Sequence, residues 1–317
     1  MSRPRHADLE VIVRRRDDAT EGVILLELSA LDGGPLPPFA PGSHVDLLLP
    51  SGLVRQYSLA GDPAGGNWLI AVQLEDDGRA GAWVRAGVHE DTVLKLVGPR
   101  NHFEFEPADG SPVLFLAAGI GVTPLASMAA RALAAGIEFR FVYQGRSRER
   151  MVLLTQLMNA YGDRVEPHVT LEGSRLDVPA LLDALTTDTI IYACGPGGFL
   201  DDLDTAAAGR GLELHLERFE AKLTDPVWPG PFEVELALTG VTVEVPPGRS
   251  ILEVAEQAGA FVLSSCTEGT CGTCETPVVE GEVDHRDAIL TPAERARNDV
   301  MYICVSRAAC PRLVLDI

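Results

Sequence analysis

The sequence predicts three units in a row: a small antiparallel β-barrel, an α/β unit built on a parallel sheet, and a short β-rich unit. Three observations carry that expectation. Residues 1–104 show short alternating apolar runs separated by glycine and proline clusters, the pattern of a small all-β unit. Residues 105–222 alternate strand-length apolar runs with helix-length stretches, which calls for parallel strands with covering helices. Residues 223–231 then bring three prolines in nine positions, a stiff linker, and from 232 to 317 the texture is β again.

Composition sets the outer limits. With 317 residues, 46 % of them apolar, each unit can bury a core. The net charge of −20 repels phosphate backbones and anionic lipid. It argues against nucleic-acid and membrane-surface binding and suits docking onto a basic protein patch. The start of the chain has arginines but no apolar stretch, and Asp8 and Glu10 interrupt it, so no secretory signal is read and a cytoplasmic location is expected. Residues 111–130 carry no charge and are long enough to span a membrane. Pro112, Gly119, Gly121 and Pro124 divide them instead into a buried strand, a turn and a helix.

In the first unit, residues 23–28 and 45–49 read as strands, and 33–38 and 61–66 as turns. Arg55-Gln56-Tyr57-Ser58-Leu59 closes an apolar run. A guanidinium can grip a phosphate, an aromatic ring can lie on a planar heterocycle, and a hydroxyl can bond a ring nitrogen. His44, in Pro41-Gly42-Ser43-His44, reads equally as a structural histidine or a cofactor contact.

In the second unit, strands are expected at 113–117, 138–143, 189–193 and 213–216, with helices at 125–135, 152–161, 178–185 and 198–209. Gly119-Ile120-Gly121-Val122-Thr123-Pro124 stands between the first strand and its helix. Glycines there let backbone N–H groups approach a pyrophosphate, although the full G-x-G-x-x-G fingerprint is absent. Cys194-Gly195-Pro196 follows the third strand, where a plain core thiol is the alternative reading of Cys194. Arg146-Ser147-Arg148 follows the second strand, a place where an arginine can accept a 2′-phosphate.

In the third unit, strands are expected at 232–239 and 241–245, a turn at 246–248 and a helix at 250–258. Five of the six cysteines fall here. Cys266, Cys271 and Cys274, with Gly269 and Gly272 between them, let a loop wrap an inorganic core, and Cys304 closes the cage. The C-x4-C-x2-C…C spacing is that of plant-type 2Fe–2S sites. Structural zinc shares the C-x2-C element but favours two matched pairs. A Rieske centre needs two histidines, and His285 is the only one in this unit. Cys310 lies beyond the pattern and reads as a core residue or a free thiol.

With these residues in place, nearly the whole chain resembles the phthalate dioxygenase reductase and vanillate demethylase reductase family, in the order flavin, nicotinamide, ferredoxin. Residues 232–317 are similar to a plant-type ferredoxin domain of the β-grasp kind, most closely over 283–294 and 301–306. The resemblance implies a flavin-binding barrel at 1–104, an NAD(H)-binding α/β domain at 105–222, a linker at 223–231 and a 2Fe–2S domain at 232–317. It implies that Arg55 binds the flavin phosphate, Tyr57 packs on the isoalloxazine and Ser58 bonds near N5, with Gln56 and Leu59 alongside. Gly78-Arg79-Ala80-Gly81-Ala82 stands where relatives have Gly-Arg-Gly-Gly-Ser, so Arg79 and backbone N–H groups replace the hydroxyl missing at Ala82.

Gly119, Gly121, Thr123, Pro124, Arg146, Ser147, Gly195 and Pro196 are then nucleotide contacts. Cys194 lies beside the nicotinamide, and Phe219 covers the flavin face. Tyr57, Ser58 and Cys194 are the expected catalytic residues, and Cys266, Cys271, Cys274 and Cys304 the cluster ligands. The implied cofactors are FMN, with FAD as the alternative, NADH, with NADPH as the alternative, and one 2Fe–2S cluster. NADH gives two electrons together, the cluster takes one at a time, and the flavin converts between them. The implied partner of this monomer is a Rieske-type terminal oxygenase. A diiron monooxygenase as acceptor, or a carrier or sensor that merely binds nucleotide, are the rivals.

Overall fold

Alternate residues of the early strands share one core, as a period of two requires. Ile24, Leu26 and Leu28, then Val45 and Leu47, then Ile70 and Val72, are all fully buried. The computed structural model describes residues 8–18, 20–74, 78–221 and 225–317. The chain divides into two units, 1–217 and 218–317.

In the first unit, β1 (Asp8–Asp17), β2 (Val23–Ala30), β3 (Ser43–Leu48), β4 (Val54–Ser58), β5 (Trp68–Gln73), α1 (Arg79–Gly87) and β6 (Val93–Asn101) come first. The strands form an antiparallel sheet in the order β4-β3-β6-β1-β2-β5. The expected barrel is a curled sheet whose ladder stays open between β4 and β5. At one end the Ala60 N–H donates to the Leu69 carbonyl at 2.8 Å and draws those edges together. The segment expected as a phosphate loop is the first turn of α1. Ala80 and Val84, one helical turn apart, bury against the sheet's core. The Arg16 guanidinium donates to the Val84 and Val88 carbonyls at the other end of α1 and ties that end of the helix to β1.

The same unit continues with β7 (Val113–Ala118), α2 (Val122–Ala135), β8 (Phe139–Gly145), α3 (Leu154–Tyr161), β9 (Val165–Val169), α4 (Val178–Asp183), β10 (Ile190–Cys194), α5 (Gly197–Ala207) and β11 (Glu213–Glu217). All five strands are parallel, in the order β11-β10-β7-β8-β9. Every residue of the central strand β7 is buried, which explains its unbroken apolar run. The sequence does not announce β9, because Glu166, Pro167 and His168 interrupt its apolar pattern. It is an edge strand, where a proline costs no ladder bond. The curled sheet and the α/β layer belong to one unit, and the Gly42 N–H donates to Ser127 Oγ of α2 at 3.2 Å.

The second unit holds β12 (Phe232–Leu236), β13 (Val241–Val245), α6 (Ile251–Gln257), β14 (Glu275–Glu280), β15 (Val283–Asp284), α7 (Pro292–Arg297), β16 (Val300–Tyr302), β17 (Arg307–Ala308) and β18 (Arg312–Leu315). A mixed sheet, β13-β12-β18-β14-β16, packs with α6 around Phe232, Val234, Leu236, Ile251, Ala255, Leu313 and Leu315. A Ser250–Glu253 capping box starts α6, as the 250–258 expectation requires. Of the expected linker, 223 and 224 lie outside the described residues. The rest is fastened to this unit: the Val227 N–H donates to Asp284 Oδ2 at 3.2 Å, and Trp228 packs on the core. Among the described residues no helix is long and apolar enough to cross a membrane.

Candidate functional site

The edge strand β4 carries the Arg-Gln-Tyr-Ser run. Its register with β3 sets Tyr57 opposite Val45, Gln56 opposite Asp46 and Ser58 opposite His44. Gln56 Nε2 donates to Asp46 Oδ1 at 3.2 Å, and Asp46 pairs with Arg100 at 2.5 Å, so a buried ion pair anchors the strand. Tyr57 is half-buried against the sheet's core, Ser58 is buried, and the Arg55 guanidinium donates to the Val54 carbonyl at 3.0 Å. Leu59 is fully buried, which leaves only its backbone for a cofactor, and its N–H already donates to the Ser43 carbonyl. At the start of α1, Arg79 and Ala82 are exposed while Ala80 and Gly81 are buried. No side chain caps this helix and its first turn holds no acid, so its leading N–H groups suit a phosphate.

The parallel sheet reverses its strand order between β7 and β10, and ligands of such sheets bind outside the carboxyl ends of the strands at that point. Both glycine motifs stand there. Gly119–Gly121 forms a tight turn into α2, and Gly195-Pro196 leads from β10 to α5. A Cβ on Gly121 would lie 2.2 Å from the Cys194 carbonyl oxygen and 2.6 Å from the Gly195 nitrogen, so only glycine allows the two loops to meet. Thr123 Oγ1 donates to the Ile120 carbonyl at 3.0 Å, closing the turn, and Pro124 is buried in the first turn of α2.

Cys194 is fully buried, with Sγ 3.9 Å from Glu217 Oε2 on the neighbouring strand. Burial, reinforced by Glu217, pushes the thiol well above its usual range. A thiol held protonated in this way is a poor nucleophile. Burial also pushes the Glu217 carboxyl up to about 8. Sequence reasoning missed Glu217, because one acid at a strand end has no distinguishing spacing. A pH effect follows. Between its ordinary value of 4.5 and about 8, folded Glu217 keeps a proton that the unfolded chain has lost. Stability therefore falls as pH rises through that window and levels off above it. Thermal melts at pH 5.5 and 8.5 should show a smaller loss for Glu217→Gln than for the parent; equal losses would contradict the burial of this carboxyl.

At the ends of β8 and β9, Arg148 pairs in bidentate fashion with Glu172 at 3.0 and 3.2 Å, and Arg150 pairs with Glu21. Arg146 is exposed, with no ion-pair partner among the described residues. Ser147 hydrogen-bonds the Glu149 carboxylate, and the Leu171 N–H donates to the Arg146 carbonyl at 3.1 Å, bringing the Glu172 loop alongside. Phe219, half-buried beyond β11, belongs to the second unit.

In the second unit the four cysteines at 266, 271, 274 and 304 are buried and in mutual contact, Cys266 with Cys271 and Cys304, and Cys274 with Cys304. Hydrogen bonds from Cys271 and Cys304 hold the Cys266 thiol well below its usual range, and that exchange holds Cys304 well above it. The Glu268 N–H points at Cys266 Sγ at 3.3 Å, and the Thr273 N–H at Cys271 Sγ at 3.4 Å. Four soft donors from two segments, with amides aimed at the sulfurs, fit an iron–sulfur cluster. Cys310 stands apart, bonded to the Glu282 N–H and the Arg312 carbonyl.

Comparison with known proteins shows the family and the fold. The 2Fe-2S iron-sulfur cluster binding domain family matches residues 234–309. A vanillate O-demethylase oxidoreductase of Pseudomonas sp. (strain HR199 / DSM 7063) is 38 % identical over 98 % of this chain and 100 % of its own. The solved structure of phthalate dioxygenase reductase superposes with a TM-score of 0.71 at 31 % identity, covering 98 % of both chains. An intact type IV self-sufficient cytochrome P450 monooxygenase gives a TM-score of 0.86 at 36 % identity over 98 % of this chain. The present chain spans only 41 % of that larger protein.

Proposed function

The chain belongs to the phthalate dioxygenase reductase family of iron–sulfur flavoprotein reductases, and from that premise we propose that it carries electrons from NADH through FMN and a 2Fe–2S cluster to a separate Rieske-type oxygenase. The observation that carries this reading is the presence in one chain of the Gly121–Cys194 approach at the switch point and the buried quartet Cys266, Cys271, Cys274 and Cys304. When bound, the flavin supplies the conversion from electron pairs to single electrons. Around it, Arg55, Arg79 and the leading N–H groups of α1 hold the phosphate, Tyr57 offers its ring and Ser58 its hydroxyl. Gly119, Gly121, Thr123 and Pro124 admit the dinucleotide's phosphates, while Cys194, Gly195 and Pro196 form the floor beneath the nicotinamide. A monomer in the cytoplasm completes the proposal.

Two measurements test the small-molecule half. Denaturing the protein should release FMN; release of FAD would contradict the assignment of a single phosphate to the start of α1. Arg55→Ala should weaken flavin retention roughly ten- to a hundred-fold, since a charge-assisted contact contributes about 1.5–3 kcal/mol. Nucleotide choice is tested at β8. Glu172 pairs with Arg148 and so takes one of the two arginines at this turn away from a 2′-phosphate, leaving Arg146 as the other. Glu172→Gln should raise the NADPH-to-NADH ratio of kcat/KM about ten-fold, and an unchanged ratio would contradict this placement.

The match to a cytochrome P450 monooxygenase favours one second reading, in which the acceptor is a haem protein. Comparing reduction of a Rieske oxygenase with that of a P450 haem separates the two.

A further inference from the structure

The Asp284-His285-Arg286-Asp287 run starts at the end of β15 and leads toward α7, and the proposed electron path uses neither Asp287 nor Ser306. Asp287 is 1 % exposed. Its Oδ2 accepts the N–H groups of Ile289 at 3.1 Å and Leu290 at 2.8 Å. Its Oδ1 accepts the Ser306 hydroxyl at 3.4 Å, and Ser306 Oγ accepts the Arg286 N–H at 3.2 Å. Its backbone carbonyl takes Arg295 Nη2 at 2.6 Å. The carboxylate thus shapes a strap and ties it to a serine two residues beyond Cys304.

The strap also reaches the other ligand segment. The Ala288 N–H donates to the Gly269 carbonyl at 2.9 Å, in the middle of the Cys266–Cys274 loop. Gly269 has a φ of +71°, and a Cβ there would lie 3.2 Å from the Asp287 Cα and 2.5 Å from a methyl of Val305, the neighbour of Cys304. Three chain segments therefore converge on Gly269: the three-cysteine loop, the Asp287 strap and the Cys304 segment.

We propose that Asp287 is a positioning residue that holds the two cysteine-bearing segments in register, with Ser306 as its tie to one and Ala288 as its tie to the other. The proposal rests on the cluster reading above. Two consequences follow. A loosened register exposes the quartet to chelators. It also weakens the amide bonds to Cys266 and Cys271 sulfurs, and those bonds stabilise the extra negative charge of the reduced site, so its midpoint moves to more negative potential.

The test uses the full chain, as purified, with Asp287→Ala, Asp287→Asn and Ser306→Ala. Iron release to a chelator, the visible circular dichroism of the cluster and its midpoint are measured beside flavin content. Asp287→Ala should release iron at least ten-fold faster and Ser306→Ala about three-fold faster, both with a more negative midpoint. Asp287→Asn should recover much of the loss, because its amide oxygen still accepts the Ile289 and Leu290 N–H groups. Flavin content should match the parent throughout. If Asp287→Ala cannot be isolated with its cluster, Ser306→Ala decides. Parental release rates, dichroism and midpoint in Asp287→Ala, or in Ser306→Ala where Asp287→Ala cannot be isolated, would overturn the proposal. Zinc instead of iron and sulfide in the parent would overturn the cluster reading, while zinc release from the same variants would still test the tie.

Discussion

Replacing Cys304 with serine is expected to abolish reduction of cytochrome c and of a Rieske oxygenase while leaving NADH-driven reduction of a small flavin-accepting dye near the parental rate. Cys304 is the only one of the four cysteines from its segment and touches both Cys266 and Cys274. Removing its sulfur opens the quartet, and Cys310, which stands apart, is already engaged with Glu282 and Arg312. Strand β4 and the turns at 119–121 and 195–196 lie in the other unit, which keeps its own cores. A fall of at least a hundred-fold for the protein acceptors, with flavin content unchanged, is the expected reading. A parallel fall in dye reduction would contradict a linear path. Measured in the parent at two salt concentrations, the oxygenase reaction should slow as salt rises, since a chain of net charge −20 would meet a basic patch.

Gly121→Ala should cut kcat/KM for NADH by about a hundred-fold. The added Cβ would lie 2.2 and 2.3 Å from the Cys194 carbonyl oxygen and carbon, and backbone cannot step aside as a flexible side chain would. Either the turn or the Cys194 loop must shift, at a cost of about 1–3 kcal/mol for such overpacking. A displacement of about 1 Å is enough to lose roughly 10²-fold in a reaction that depends on near-attack geometry. Flavin content and the iron–sulfur chromophore should be unchanged. Gly198→Ala is the control, because a Cβ there meets nothing within 4 Å. Parental kcat/KM in Gly121→Ala would show that the two loops do not jointly form the nicotinamide site.

Much of this was legible because its physics is local in sequence. The three-cysteine loop needs only its spacing, and the glycines at 119 and 121 stand out between an apolar run and a helix. What was not legible depends on partners far along the chain. The short, proline-bearing β9 is a strand because β8 supplies its ladder. The 79–82 segment becomes helical because Ala80 and Val84 find the sheet's core. Glu217 gains its character from β10, which sets Cys194 opposite it. The residues after 224 read as a linker on proline content, yet Asp284 and the core beneath Trp228 hold them.

The most direct test of the central claim is anaerobic reduction by NADH of protein stripped of flavin, followed by the electron paramagnetic resonance of the reduced cluster. With flavin removed and the cluster intact, no cluster signal should develop, and adding FMN back should restore it. Reduction of the cluster by NADH at the native rate without flavin would contradict the proposed path.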